Sequence, residues 1–256
     1  MPLRSPLKDR PLRNPGQSLD QALDDLVNDR LLGLLLLPGW LWLIAGLEWG
    51  QQHFHVAPTP GVFVAAAALS TVVCGALIVR VRRRARALKQ GRDGERVVGQ
   101  FLERLRADGT QVFHDVPGEG FNLDHVIVSP AGIFVIETKT LSKPSPKATV
   151  QFDGNRILVA GQPLDRDPVA QSNAQIGWLG QLLKETTGKT FAVRGVVVFP
   201  GWYVERVGAG RQSPLWVLEP KALPAFIEHE PVQLQASDVA LAAFHLSRYI
   251  RSVPAP

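Results

Sequence analysis

Two long apolar runs, residues 31–49 and 61–79, constrain this chain more than any other feature. A helix needs about 20 residues to cross a hydrocarbon core, and each run has that length. Runs this long and this apolar are rare in soluble domains, where the alternative is a buried helical hairpin. Trp40, Trp42 and Trp49 suit a bilayer, and Trp49 stands where an interfacial anchor belongs. Pro38 should bend the first helix or mark an interfacial entry turn.

The flanks orient the pair. The connector, residues 51–60, carries no Lys or Arg. Arg30 precedes the first run, and Arg80-Val-Arg-Arg-Arg-Ala-Arg-Ala-Leu-Lys89 follows the second. Basic flanks stay inside, so residues 31–79 read as a transmembrane hairpin with both termini in the cytoplasm. The expected location is the cell inner (plasma) membrane, as a multi-pass protein in contact with the lipid bilayer. The first run does not read as a signal peptide, because a polar leader precedes it and a second span follows directly. Residues 1–30 form a cytoplasmic segment, expected to be disordered up to Ser18 and then helical on the membrane surface. Residues 80–90 read as a basic juxtamembrane helix that sets topology and touches anionic headgroups. Nucleic-acid contact is the competing reading of that run, and the formal net charge of +5 permits both. The single cysteine, Cys74, excludes a disulfide framework and a cysteine zinc site. The six histidines lack metal-ligand spacing, and His53 and His55 read as solvated loop residues.

Beyond residue 90 the pattern changes to alternating helix and strand. Gly94 to Leu105 has helical periodicity, with Val97, Val98, Phe101, Leu102 and Leu105 as its apolar stripe and Gly109 after its end. Glu95 borders that stripe in the first turn, favoured there by the helix dipole or reaching inward. A strand is expected over 112–116, then a hairpin whose strands flank Ser129-Pro-Ala-Gly132. A second hairpin spans 150–159 around Asp153-Gly154. Asp167-Pro168 opens a helix through Gln171, Gln175, Trp178, Leu179, Leu182 and Leu183 that stops near Gly188. Gly195 to Phe199 reads as a strand covered on both faces, 215–218 as a short strand, and Ser237-Asp238 as the cap of a final helix over 239–251. The order predicts an α/β domain, one mixed sheet flanked by helices, with its core over 91–220 and a C-terminal helical extension over 221–256.

The first hairpin carries the chemistry. Strand side chains alternate, so Glu137 and Lys139 point the same way, and Asp124 on the partner strand can face them. Two carboxylates and an amine at one sheet edge make a Mg²⁺ site with a water-activating group. The structural alternative is an exposed same-face ion pair of small consequence. His125 points to the opposite face from Asp124, in a packing or hydrogen-bonding role.

Gly91-Arg-Asp-Gly-Glu95, Asn122-Leu-Asp-His125, Gly132-Ile-Phe-Val-Ile-Glu-Thr-Lys139 and Gln171 at a helix start resemble the nuclease-related domain (NERD) family, over roughly residues 91–200. That family is similar to the PD-(D/E)XK nuclease superfamily. The resemblance implies a restriction-endonuclease-like core, Mg²⁺ dependence and DNA as substrate. It assigns Asp124 as the metal-binding aspartate, Glu137 as the second acidic ligand and Lys139 as the lysine of the E-x-K element. Glu95 matches the helix glutamate, and Gln171 the glutamine beyond the core. Leu123 stands where the superfamily motif has proline.

These readings converge on a membrane-anchored, Mg²⁺-dependent nuclease with a cytoplasmic NERD domain. Lys139 orients water or offsets charge at phosphorus, Glu95 serves a second metal or a metal-held water, and Gln171 serves the metal shell or the DNA backbone. Arg96, Lys143, Lys147, Arg156, Arg166, Lys184 and Lys189 are candidate phosphate contacts or ordinary surface charge. Trp202 and Tyr203 stack on a base or pack a loop. The alternatives are a catalytically inactive nuclease-fold module that binds nucleic acid or a protein partner at the membrane, and a purely structural membrane-assembly protein.

Overall fold

Apolar sequence dictates the first part of the chain. In the computed structural model, which describes residues 12–51 and 60–253, the helix α1 spans Gln17–Asp25. A π-helical turn over Leu26–Leu31 leads into α2, Leu32–Gln51, which continues through Pro38. The next helix, α3, runs from Pro60 to Leu102. Residues 1–11 and the histidines His53 and His55 lie outside the described residues. Two helical stretches are long and apolar enough to cross a membrane, by length and composition. Their large side chains, Leu35, Trp40 and Leu47 on α2 and Val62, Leu69 and Val72 on α3, are more than half exposed. Among the described residues of the two apolar runs the buried ones are small, Ala45, Ala67 and Cys74, and Trp42 Nε1 donates to Thr71 Oγ1 at 3.1 Å. Small residues let helix backbones approach closely where there is little water to expel.

The chain divides into two units, one of residues 19–89 and one that joins the segment ending at Ser18 to the residues from 90 onward. The expected basic helix over 80–90 and the helix from Gly94 are parts of the single helix α3. Glycine costs about 1 kcal/mol inside a helix, which Gly91 and Gly94 together do not raise to a break. Val98 and Leu102 are buried as the stripe predicts, but Val97 is 62% exposed. A 3₁₀ turn, Glu103–Asp108, ends at Gly109 with φ +74°.

The second unit holds two sheets where one mixed sheet is expected. The strands β1 (Gln111–Pro117), β2 (Asn122–Ser129) and β3 (Gly132–Thr138) form an antiparallel meander. The strands β4 (Thr149–Phe152), β5 (Ile157–Val159) and β6 (Gln162–Pro163) follow, and then α4 (Pro168–Thr187). The strands β7 (Val193–Val198), β8 (Tyr203–Arg206) and β9 (Trp216–Leu218) precede the helices α5 (Leu223–Glu228) and α6 (Ala236–Ser252). The main sheet has the order β1-β2-β3-β7-β9, with β7 parallel to both β3 and β9. The small sheet has the order β6-β5-β4-β8, because β4 pairs in parallel with β8 rather than joining the main sheet. Val150, Phe152 and Trp202 of this layer pack on Val197, Phe199 and Val217 beside the main sheet.

Helices α4 and α6 cover one face of the main sheet through Val126, Val128, Ile133 and Val135. The end of α3 and α5 cover the other through Ile127, Phe134, Ile136 and Val196. Alternation along β2 and β3 sorts these residues between the two faces. Helix α4 begins as its sequence dictates: Asp167 Oδ1 accepts from Val169 N at 2.9 Å, Pro168 opens the first turn and Gly188 closes the helix at φ +74°. The final helix begins earlier than expected, at Ala236, so Ser237-Asp238 lies inside its first turn and Gln235 occupies the cap position without a side-chain bond. Asp238 pairs instead with Lys189 Nζ at 2.5 Å.

Candidate active site

The β2–β3 register sets the site. His125 pairs with Ile136, so one step further Asp124 stands opposite Glu137. Ile133 and Val135 face the α4 side, and Glu137 continues that row where the apolar cover ends. The backbone N–H of Lys139 donates to Val198 O at 2.9 Å, which pins the end of β3 against β7.

Hydrogen bonds join three of the expected side chains, and a fourth, Asp124, is held by backbone. Lys139 Nζ donates to Glu137 Oε1 at 2.7 Å and to Gln171 Oε1 at 2.9 Å. Asp124 Oδ2 accepts from Thr138 N at 2.6 Å. The Glu137 side chain is 6% exposed and that of Lys139 19%, so this is not the solvated pair of the structural alternative. Gln171 lies in the first turn of α4, where its N–H donates to Asp167 O. Glu95 is buried on α3 and reaches the group through its field rather than by a hydrogen bond to it. It lies deep inside α3, so the helix-dipole reading fails and the inward one stands.

A family model fits this stretch of chain. Residues 90–200 match the model of the nuclease-related domain (NERD). The match covers under half of the 256 residues, so it describes the domain and not the whole chain. Comparison with curated proteins and with solved structures finds no match.

Negative charge is crowded around Glu95, Asp115, Asp124 and Glu137. Burial, then the nearby Asp115 and Glu137 carboxylates, push Glu95 up to about 8, against a weaker pull from the Gly16 N–H and Lys139. Burial, Glu137 and Glu95 raise Asp124 well above the usual carboxylate range. The Lys139 ammonium opposes both rises, and it already holds one oxygen of Glu137.

The cluster includes groups that the sequence alone did not single out. Gln175 Nε2 donates to Glu137 Oε2 at 2.7 Å, so both oxygens of Glu137 are engaged. Gln175 lies one helical turn beyond Gln171, a spacing that puts both amides on one face of α4 and was legible. Asp115 left no such signal. It holds a left-handed backbone, φ +48°, and is 1% exposed. Its carboxylate accepts from Ser18 N at 3.1 Å and Asn122 Nδ2 at 3.0 Å, and pairs with Arg13 at 3.4 Å. Residues 13–18, expected to be disordered, are thus bound to the unit that begins again at residue 90. A Cβ on Gly99 would lie 2.5 Å from Pro15, so the glycine gives this strap its seat. His125 does pack, as expected: its Nδ1 meets His114 Nδ1 at 2.9 Å on the far side, and His114 Nε2 meets Glu103 at 2.7 Å.

Do these residues fit a divalent ion? Among the described residues no three His, Cys, Asp or Glu side chains gather as a ligand cluster. Mg²⁺ does not need three, since it is commonly held by one or two carboxylates with waters and substrate phosphate. Asp124 and Glu137 provide that pair as hard oxygen donors. Gln175 Oε1 is buried with no hydrogen-bond partner, on the side chain whose Nε2 donates to Glu137. A buried oxygen without a donor, beside the Glu137 carboxylate and near Asp124, fits a cation.

Gly94 keeps the helix close to the site. A Cβ there would fall 1.6 Å from Thr140 Oγ1 and 2.7 Å from Thr140 Cβ. Alanine gains about 1 kcal/mol of helix propensity but forces α3 off Thr140, which costs about 1–3 kcal/mol. Gly94→Ala is therefore expected to destabilise the full chain in denaturant unfolding, and Thr140→Gly in the same chain to restore part of the loss. An unchanged midpoint would show that the contact carries no strain.

Proposed function

We propose that the chain is a membrane-anchored, Mg²⁺-dependent nuclease that cleaves DNA through a restriction-endonuclease-like core. The observation that carries this reading is Lys139 Nζ bridging Glu137 and Gln171, with Asp124 on the neighbouring strand. Asp124 and Glu137 would hold Mg²⁺, which supplies charge neutralisation at the scissile phosphate and a more acidic water. Lys139 places an ammonium, fixed by two acceptors, where negative charge grows on the phosphoryl oxygens. Gln171 and Gln175 hold Lys139 and Glu137 in place, so little reorganisation is left for the reaction itself. Glu95, buried and raised to about 8, holds a proton at neutral pH that it can exchange with the reacting centre.

Anchoring rests on the two apolar helices and on the arginine-rich run after the second. The positive-inside rule puts the NERD domain in the cytoplasm, at the inner face of the cell membrane. The test uses the full chain in detergent, because residues 13–18 belong to the unit that holds the site. It is expected to nick or degrade DNA with Mg²⁺ and not with chelator, and Asp124→Asn is expected to lose at least about 10²-fold. Equal cleavage by the variant would assign the activity elsewhere. The second reading, an inactive module that binds nucleic acid, draws on one observation: both oxygens of Glu137 are already engaged by Lys139 and Gln175. DNA binding without Mg²⁺-dependent cleavage would favour it.

A further inference from the structure

Three arginines converge where the two apolar helices meet charged sequence. Arg30 lies near the end of the π-helical turn before α2, and Arg80 and Arg84 lie one helical turn apart on α3. All three line one cavity of about 520 Å³. Its remaining wall is apolar: Leu26, Leu34, Leu77 and Val81. Among the described residues none of the three arginines has an ion pair or a side-chain hydrogen bond, and all are exposed. Asp25 lines an adjoining cavity with Arg30 and Arg84, and no carboxylate is among the residues that line this one.

We propose that this cavity binds one anionic glycerophospholipid. The inference rests on the membrane anchoring proposed above and goes beyond it, because it names a bound ligand. Guanidinium groups grip phosphate oxygens in pairs, and three of them exceed what a zwitterionic headgroup can balance. The apolar wall gives an acyl chain a surface that a free phosphate cannot use. The depth also fits. Arg30 stands at the start of the first apolar run and Arg80 just past the end of the second, the level of lipid headgroups.

The full chain is to be placed in phosphatidylcholine nanodiscs with a minority of phosphatidylglycerol, and retained lipid counted by native mass spectrometry. Phosphatidylglycerol is expected to be retained over phosphatidylcholine. Arg30→Gln, Arg80→Gln and Arg84→Gln together are expected to reduce that preference by about tenfold or more. Arg82→Gln, Arg83→Gln and Arg86→Gln remove equal charge from outside the cavity and are expected to preserve it. If the first triple variant fails to insert, Arg84→Gln alone is expected to lose about fivefold. Equal losses in both triple variants would overturn the site in favour of diffuse attraction. Stabilisation by soluble glycerol phosphate as strong as by the lipid would overturn the lipid assignment. A chain that binds no bilayer at all would instead sink the anchoring, and this site with it.

Discussion

Lys139→Met is expected to lower Mg²⁺-dependent DNA cleavage by the full chain about 10³-fold, with the fold kept. Methionine fills the volume of the lysine stem, so the loss isolates the ammonium. That ammonium lies 2.7 Å from Glu137 and 2.9 Å from Gln171, and a side chain so held is pre-positioned rather than recruited. Its removal leaves Gln175 as the neutral donor on Glu137, with Glu95 and Asp124 close by. The folded state should lose about 1–3 kcal/mol in the absence of metal. Mg²⁺ binding, followed by calorimetry, should tighten, because a competing positive charge has gone. Cleavage within tenfold of the parent would remove Lys139 from the chemistry, and weaker Mg²⁺ binding would place the ion away from Glu137.

Stability is expected to fall as pH rises from 5 to 9, and Glu95→Gln to flatten that decline. In the unfolded chain Glu95 titrates near 4.5, and in the fold near 8. Between these values the folded chain holds a proton that the unfolded chain has released, so each added pH unit withdraws stability. The full effect is on the order of 3–5 kcal/mol, present below the unfolded value and lost as pH climbs through the folded one. Asp124, also raised, adds a decline of the same sign. Chemical unfolding across that pH range, for the parent and Glu95→Gln, measures it. Saturating Mg²⁺ should reverse the trend, since a divalent ion favours the ionised carboxylates and expels the proton. Proton release on Mg²⁺ addition, read in buffers of different ionisation enthalpy, is the accompanying signature. A flat profile in the parent would mean that Glu95 is solvated.

Local signals carried much of the domain into view. The hairpin around Ser129 to Gly132, the capped start of α4 at Asp167 and its stop at Gly188 are written in a few adjacent residues, and the structure forms them there. Asp124, Glu137 and Lys139 were legible for the same reason, because alternation along two adjacent strands places them together. Features that depend on distant chain were not. The pairing of β4 with β8 joins Val150 to Val204, and no local pattern announces it. Asp115 turns inward only because Arg13, Ser18 and Asn122 meet it, a set assembled by tertiary contact. The exposed Val97 fits the helical period, yet no neighbouring element covers it.

The strap at residues 13–18 docks on the unit that otherwise begins at residue 90, so the stretch between them is an excursion from a discontinuous globule. During synthesis the strap leaves the ribosome long before Gly99 and Asp115, its partners, exist. The seat of the strap on Gly99 and Asp115 is therefore completed only after the whole apolar stretch of residues 31–79 has been synthesised.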